Sequence, residues 1–555
     1  MRLTTTSPVK DPADSKRQTV RVELTARVLA PPVVLPSRLS SSLDFPLESS
    51  PRQTFQSVGS DYNGSIPPTM TDAITTATAT GPNSKDTKND KVDAEQVQPR
   101  NPWPEMNDQT MLGETSDELN NDRLKKIAAE GSAHFHRLGW KRLAIVTIVE
   151  AVALGALSLP SAYHTLGMFP GVFLTITLGM ISIFTSYLVG QVKLAHPYIA
   201  NYADAGRLLF GRFGRIGYEL FGAALVLELV MVVGSHALTG SIALVDINGG
   251  HVCSIVFSAV SAIILLILAI PPSFTEVAIL GYIDFVSILA AIGITVIATG
   301  IQASNSAGGL SGVEWSAWPK EGISFSEAFV AVSNIIFAFS FAIGQFSFMD
   351  EMHTPTDYMK SIWASGFIQI GIYTLTGALC YAFIGPSVQS PALLSAGPLI
   401  SKIAFGVAIP VIFISGSINS TVALRYLHGR MYKNSHLRYI NTPMGWASWI
   451  ILVVIFTIIA WVIAEAIPIF SDLLSLASAL FVSGFSFYIP AIMWFALLCK
   501  GKWYSRENIL ISAGSILAFI IGAVTLVAGT YSTIVDIIDE TTTGSAHKPF
   551  ACRSS

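Results

Sequence analysis

Eleven long apolar stretches follow one another between residues 143 and 535, and they constrain the fold more than any other feature. A helix needs about 17 to 25 mainly apolar residues to cross a bilayer, or slightly more when it is tilted. Only 13% of the residues are charged, against roughly 25% in soluble proteins. We therefore predict an all-α, polytopic membrane protein. Numbered 1 to 11, the predicted spans are residues 143–166, 171–192, 218–242, 253–270, 277–301, 325–349, 362–384, 399–424, 446–467, 473–498 and 509–535.

The chain divides into three predicted parts. Residues 1–138 are rich in Ser, Thr, Pro, Asp and Lys and have no sustained apolar period. Such a segment buries too little apolar surface to offset the entropy of ordering, so we expect a disordered cytosolic tail. Residues 139–535 form the predicted eleven-helix domain, and residues 536–555 form a short extracytosolic tail. Either Met1 or Met70 could begin the translated chain.

Lysine and arginine are distributed unevenly between the two sets of short loops. Twelve lie in the loops on one side of the predicted bundle, and two lie on the other side. Because positively charged loops stay in the cytosol, the N-terminus is predicted inside and, with eleven spans, the C-terminus outside. The inner set is Lys193, Arg207, Arg212, Arg215, Lys360, Arg425, Arg430, Lys433, Arg438, Lys500, Lys502 and Arg506, and the outer set is Lys320 and Lys402.

The net charge of −3 gives no electrostatic basis for a nucleic-acid partner. The four cysteines show no metal-type spacing, and the sequence contains no nucleophile motif, phosphate loop or metal cluster. We therefore expect a monomer that is not an enzyme, with no catalytic residues, no cofactor and no metal. Cys253 and Cys552 both fall on the predicted outer side, where free thiols are favoured over a disulfide.

Span 1 contains signals for an interrupted helix. An acid, Glu150, is followed by Gly155, Ser158 and Pro160. Pro160 has no N–H and clashes with the carbonyl four residues earlier, and Gly155 lowers helix propensity. Secondary transporters bind substrates and ions at such breaks near the bilayer midplane. A proline kink packed among neighbouring helices is the alternative.

Span 6 contains a second group of such signals. Ser340, Gly344, Gln345 and Ser347 interrupt its apolar sequence. Span 6 runs opposite to span 1, and this is the parity expected of two five-helix repeats with inverted topology, each led by a discontinuous helix. The alternative is that these small residues only allow close helix packing.

Three acidic residues fall deep inside predicted spans, namely Glu150, Glu228 and Asp284. Ionisable residues at this depth are costly and are functional candidates by default. The sequence offers no Lys or Arg at comparable depth, and burial without a cation favours the neutral carboxyl form. The three residues are therefore predicted to serve proton coupling. The alternatives are a protonated Glu228 that is hydrogen-bonded between helices, and an Asp284 that is hydrated near the inner face or caps a neighbouring helix. His236 shares a helix face with Glu228, either as a relay or as a satisfied buried histidine.

Span 8 contains the polar stretch Ser415-Gly-Ser-Ile-Asn-Ser-Thr421. Its hydroxyl groups could supply oxygen ligands to a cation such as Na⁺. They could equally allow neighbouring helices to approach closely. Composition does not separate the two interpretations.

Several motifs together resemble the amino acid/auxin permease family, especially its fungal neutral amino acid permeases. Gly139-Trp-Lys-Arg142 leading into Ile148–Ser161 is similar to the first helix of that family. Asn201–Gly214, Phe337–Phe346 and the acidic Met349–His353 are similar as well. The resemblance covers about residues 138–535.

The resemblance implies eleven transmembrane helices, with the inverted 5+5 repeat core of amino acid/cation symporters plus one extra helix. It implies import of neutral amino acids by symport, driven by protons. Many relatives have a neutral polar residue where this chain has Glu150, which disfavours sodium coupling. Alternatives are a vacuolar amino acid permease and a non-transporting amino acid receptor that signals through the N-terminal tail. The plasma membrane is the favoured location.

The resemblance also implies site residues. Backbone N–H groups of Gly155 to Ser158 would meet the substrate carboxylate, and residues of span 6 would border the side chain and the amino group. The implied substrate-binding residues are Gly155, Ala156, Leu157, Ser158, Phe337, Ser340, Phe341 and Gly344. The residues at the implied cation site of Na⁺-dependent relatives are Ser417, Ser420 and Thr421.

Overall fold

The computed structural model describes most of the chain from Leu138 onward, namely residues 138–306, 308–433, 435–543 and 549–552. The predicted disordered tail lies outside the described residues, apart from Leu138. Within the described part, nine helices are long and apolar enough to cross a membrane. Two shorter apolar helices occupy the fourth and sixth places. The predicted all-α, multi-span architecture is confirmed, and the count of eleven crossings stays a prediction.

The helices follow the predicted spans closely, because long apolar runs leave few alternatives in a bilayer. A short helix, Tyr202–Leu209, lies between spans 2 and 3. Spans 1 to 5 are the helices Trp140–Leu166, Met168–Ala195, Gly214–Asn248, Ser254–Leu268 and Phe274–Asn305. Span 6 is Phe325–Ala338 and Gln345–Asp350, and spans 7 to 9 are Tyr358–Ile384, Pro398–Met431 and Pro443–Ala466. Span 10 begins with Phe470–Ala477 and continues as the π-helix Ser478–Tyr488, and span 11 runs from Ile509 to Thr543.

Contacts between helices repeat when spans 1–5 are exchanged with spans 6–10. Span 1 packs on span 7, and span 6 packs on span 2. Span 5 packs on span 8, and span 10 packs on span 3. Spans 1 and 6 pack on each other, as do spans 3 and 8. This exchange pattern is that of the predicted inverted 5+5 repeat, with span 11 packed beside spans 6 and 10.

The prediction of a broken span 1 is wrong. The helix runs without interruption from Trp140 to Leu166, with Pro160 inside it. The hydroxyl groups of Ser158 and Ser161 donate to the carbonyls of Gly155 and Ser158, at 3.0 and 2.8 Å. Such side-chain donors support the backbone beside a membrane proline, whereas opening the helix would leave more polar groups unpaired. The alternative of a packed proline helix therefore holds for span 1.

The predicted interruption of span 6 is confirmed. Its first helix ends at Ala338, a single 3₁₀ turn covers Ser340–Ala342, and the second helix begins at Gln345. Neighbouring side chains bond the freed carbonyls. Ser182 of span 2 donates to the Phe339 carbonyl at 3.0 Å, and the Tyr202 hydroxyl lies 3.2 Å from the Ala342 carbonyl.

Tyr202 also bonds the π-helix of span 10. Its hydroxyl donates to the Phe485 carbonyl at 2.9 Å, and its buried ring packs edge-on against the rings of Phe346 and Phe485. In a π-helix the carbonyl of residue 485 faces the backbone nitrogen of residue 490. That residue is Pro490, which has no N–H. Tyr202 therefore supplies a donor that span 10 lacks.

The face of the bundle that contains Leu138, here called the N-terminal face, is held by ion pairs and a backbone bridge. Lys193 of span 2 pairs with Asp350 at 2.7 Å, and Arg425 of span 8 pairs with the buried Glu351. The Leu138 N–H donates to the Glu351 carbonyl, and the His353 N–H donates to the Leu138 carbonyl, both at 3.0 Å. Spans 2 and 8 and the start of span 1 are thereby attached to the end of span 6.

The expectation of free thiols at Cys253 and Cys552 is wrong, because the structure joins these residues in a disulfide. The bond connects the start of span 4 with the segment after span 11, across 299 residues of sequence. Phe550 beside it packs edge-on against Trp461 of span 9. The C-terminal segment is thus attached to the side of the bundle opposite Leu138.

Candidate functional site

Spans 1 and 6 meet where span 6 is interrupted. A Cβ atom built on Gly155 would lie 2.8 Å from the Cα of Ala338, the last residue of the first span 6 helix. Real carbon atoms prefer separations of about 3.5 to 4.0 Å. Only glycine therefore fits here, and the continuous span 1 lies directly against the break. We call this contact of Gly155 with Ala338 the seam.

Two of the predicted acidic residues are buried on spans that both pack on span 8. Glu150 of span 1 and Glu228 of span 3 are both buried and interact electrostatically. One oxygen of Glu150 and both oxygens of Glu228 have no hydrogen-bond partner among the described residues. Two buried carboxyl groups that repel each other when charged cannot both ionise cheaply, so the pair is suited to hold a proton.

Ser415 of span 8 lies between the backbone of Glu150 and the ring of His236. The Ser415 hydroxyl donates to the Glu150 carbonyl at 3.1 Å and lies 3.4 Å from Nε2 of His236. His236 is fully buried on span 3, two helical turns from Glu228. Glu150, Glu228, Ser415 and His236 are thus neighbouring polar residues of spans 1, 3 and 8, here called the polar cluster, in which the Ser415 bond reaches the backbone of Glu150 and not its carboxyl group.

Asp284, the third predicted acid, is not joined to this cluster by any described contact. It is buried on span 5, and both its oxygens lack a hydrogen-bond partner among the described residues. One turn earlier, Gly281 faces Ile145 near the start of span 1, at 3.5 Å from a Cβ built on the glycine. Asp284 therefore lies on the face of span 5 that turns towards the N-terminal half of span 1.

The predicted cation-site hydroxyls of span 8 are bonded within their own helix. Ser417, Ser420 and Thr421 donate to the carbonyls of Ile414, Gly416 and Ser417 at 2.7 to 3.0 Å. Their oxygens retain lone pairs, but the hydrogen bonds of the described residues join these hydroxyls only to their own helix. The arrangement is that of small polar residues packed between helices.

Of the predicted substrate-binding residues, Gly155 forms the seam, and most of the others are buried on the same two spans. Ala156, Leu157, Ser158, Phe337 and Ser340 are all buried on spans 1 and 6. Gly344 does not face span 1, because a Cβ atom there would meet the Phe348 ring of the same helix, at 2.5 Å. The side chain of Phe341 lies outside the described residues. The N–H groups of Gly155 to Ser158 lie inside the continuous helix, which removes the predicted unwound backbone there.

Tyr373, in the middle of span 7, also lies at the seam, although the sequence motifs did not predict it. Its hydroxyl lies 3.1 Å from a Cβ built on Gly155 and has no hydrogen-bond partner among the described residues. Its ring packs edge-on against Phe339, with ring centroids 5.2 Å apart, and it interacts electrostatically with Glu150. A tyrosine in the middle of a span could have indicated a functional residue from the sequence, because a buried tyrosine hydroxyl usually has a hydrogen-bond partner.

A helical membrane protein with inverted repeats, in which a discontinuous helix meets its counterpart at mid-depth, has the architecture of a secondary transporter. Sequence comparison identifies the family within that class. The chain belongs to the transmembrane amino acid transporter family, which matches residues 136–535. This confirms the predicted relationship and a multi-pass membrane protein with a small-molecule substrate.

Individual relatives agree with the family. The N amino acid transport system protein of Neurospora crassa is 57% identical over 455 residues, which cover 81% of this chain and 96% of that protein. Amino acid permease 1 of Arabidopsis thaliana is 25% identical over 288 residues, which cover 46% of this chain and 58% of that protein. Among solved structures, MhsT in complex with L-phenylalanine is similar with a TM-score of 0.45 and 14% identity, over 72% of this chain and 97% of that chain.

Proposed function

We propose that this protein imports neutral amino acids by proton symport, with alternating access to the seam from the two sides of the plasma membrane. The N-terminus would be cytosolic and the C-terminus outside. The observation that carries the proposal is the pair of buried acids Glu150 and Glu228 on spans 1 and 3, three of whose four carboxyl oxygens have no hydrogen-bond partner among the described residues. No lysine or arginine is paired with either residue in the described part of the chain.

A buried carboxyl pair suits protons better than sodium. One buried carboxyl group can carry a proton without the ordered ligand shell that a metal cation requires, and a second carboxylate nearby favours its retention. Ser415 bonds the backbone carbonyl of Glu150 and lies 3.4 Å from Nε2 of His236, which places a further titratable side chain next to span 1. The span 8 hydroxyls donate to their own helix and offer no comparable group of ligands.

The N-terminal face supports alternating access. The pairs Lys193–Asp350 and Arg425–Glu351 attach spans 2 and 8 to the second helix of span 6. Because that helix is separated from the first one by the break, it can move without moving Phe325–Ala338. Release of these ion pairs would open a route from the seam to the N-terminal face.

The test is uptake of radiolabelled neutral amino acids in a host that lacks its own carriers, at two pH values and with or without sodium. We expect uptake to rise as the external pH falls and to be independent of sodium. Glu228→Gln should abolish this pH dependence, because glutamine cannot exchange a proton. Glu219→Gln on the same helix is the matched control, since Glu219 is exposed and pairs with Arg430 at the surface.

A variant Glu228→Gln with the pH dependence of the wild type would remove this residue from coupling. Uptake that requires sodium at both pH values would contradict proton symport altogether. Transport by isolated vacuoles, with none by intact cells, would assign the protein to the vacuole instead.

A further inference from the structure

The Tyr373 hydroxyl is a buried polar group that does not belong to the polar cluster. Its side chain is fully buried at the middle of span 7. Its oxygen points at the backbone of Gly155, and its ring is held against Phe339 at the break of span 6. Tyr373 therefore presents an uncommitted hydrogen-bond donor at the point where spans 1, 6 and 7 meet.

The continuous helix of span 1 makes such a donor necessary for an amino acid substrate. In a broken helix, free backbone N–H groups would bind the substrate carboxylate. Here the N–H groups from Gly155 to Ser158 lie within the helix, and the Ser158 hydroxyl donates to the Gly155 carbonyl. A carboxylate at the seam must therefore take its hydrogen bond from another side chain.

We propose that the Tyr373 hydroxyl donates a hydrogen bond to the substrate carboxylate; this inference rests on the proposed amino acid transport. The carbonyls at the break of span 6 are acceptors and suit the ammonium group at the other end of the substrate. Glu150 lies close enough to Tyr373 to interact with it electrostatically. An ionised Glu150 would repel a carboxylate bound there, so a proton on Glu150 and a substrate on Tyr373 bind together.

The variant Tyr373→Phe tests the hydroxyl alone, because phenylalanine keeps the ring that packs on Phe339. A hydrogen bond to a charged group is worth about 10- to 100-fold in binding. We expect the KM for L-leucine to rise by about that factor, with the maximal rate and the amount of protein at the membrane unchanged. Tyr381→Phe is the matched control, since its hydroxyl, two turns along the same helix, accepts from the Ser316 N–H at 3.0 Å.

Competition by L-leucinamide separates carboxylate recognition from packing. At about pH 6 both competitors carry a protonated amino group, and only L-leucine carries a carboxylate. The wild type and Tyr381→Phe should prefer L-leucine strongly, whereas Tyr373→Phe should lose most of this preference. The same ratio can be measured as thermal stabilisation of the purified full chain by each compound, should the variant be retained inside the cell.

Two outcomes would overturn the inference. One is an unchanged KM and preference in Tyr373→Phe, and the other is an equal loss of affinity for L-leucine and L-leucinamide, which would indicate a packing role. Failure of the proposed function is distinguishable, because the wild type itself would then neither take up nor bind amino acids.

Discussion

Substitution Gly155→Ala measures how closely spans 1 and 6 must approach. The added Cβ would lie 2.8 Å from Cα and 2.9 Å from Cβ of Ala338, and 3.1 Å from the Tyr373 hydroxyl. The two backbones would have to separate by roughly 0.7 Å or more to reach ordinary carbon contact. Overpacking of this kind costs about 1 to 3 kcal/mol.

Alanine also favours the helix over glycine by about 1 kcal/mol, so a control must share that gain. Gly293→Ala in span 5 does, because nothing lies within 4 Å of its added Cβ. We expect Gly155→Ala to be less stable than Gly293→Ala by about 1 to 3 kcal/mol, measured as thermal unfolding of the purified full chain. Its KM should rise as well, because the seam is part of the proposed site.

Equal unfolding temperatures for the two variants, together with a KM equal to that of the wild type, would refute this reasoning. The close approach at residue 155 would then be dispensable. A stable Gly155→Ala variant with an altered KM would instead restrict the role of the glycine to the substrate site.

Two further predictions concern groups that support the break of span 6. Glu351→Gln should destabilise the protein by about 3 kcal/mol at most, because the Arg425 side chain loses the carboxylate that it pairs with. The loss is limited because 24% of the Arg425 side chain stays exposed to solvent. Unfolding of the variant at the wild-type temperature would contradict this prediction. Tyr202→Phe should cost about 1 to 3 kcal/mol, because the Phe485 carbonyl opposite Pro490 loses its donor. Thermal unfolding measures the loss, the exposed Tyr198→Phe is its control, and equal stability of the two variants would rule out the proposed donor role.

The positions of the spans and the burial of the acids could be predicted because they depend on local composition. An apolar run of sufficient length has one stable conformation in hydrocarbon, where each backbone group needs an internal partner. The burial of Glu150 and Glu228 was predicted from their position deep within apolar spans alone. Their proximity follows from the packing of spans 1 and 3 around span 8, which depth does not specify.

Local sequence could not distinguish a kinked helix from a broken one. Glycine, serine and proline occur in span 1, and glycine and serine in span 6, yet only span 6 is interrupted. The difference lies in the neighbours: Ser182 and Tyr202 bond the carbonyls freed in span 6, and they are 157 and 140 residues away from Phe339 and Ala342. The disulfide between Cys253 and Cys552 was mispredicted for the same reason, because pairing depends on tertiary proximity. The role of Tyr373 could not be predicted, because the missing partner of its hydroxyl depends on the spans packed around it and not on the local sequence.

The bridge between Leu138 and Met352 has a mechanical consequence. Residues 1–137 are joined to the helical domain through Leu138. The backbone of Leu138 is hydrogen-bonded to Glu351 and His353, which directly follow the second helix of span 6. A protein that bound residues before 138 and pulled on them would thus act first on the backbone of Glu351 and His353, next to the second helix of span 6. Labels placed on the two sides of this bridge would report whether Leu138 and Met352 separate during transport, and these labels would lie outside the proposed substrate site.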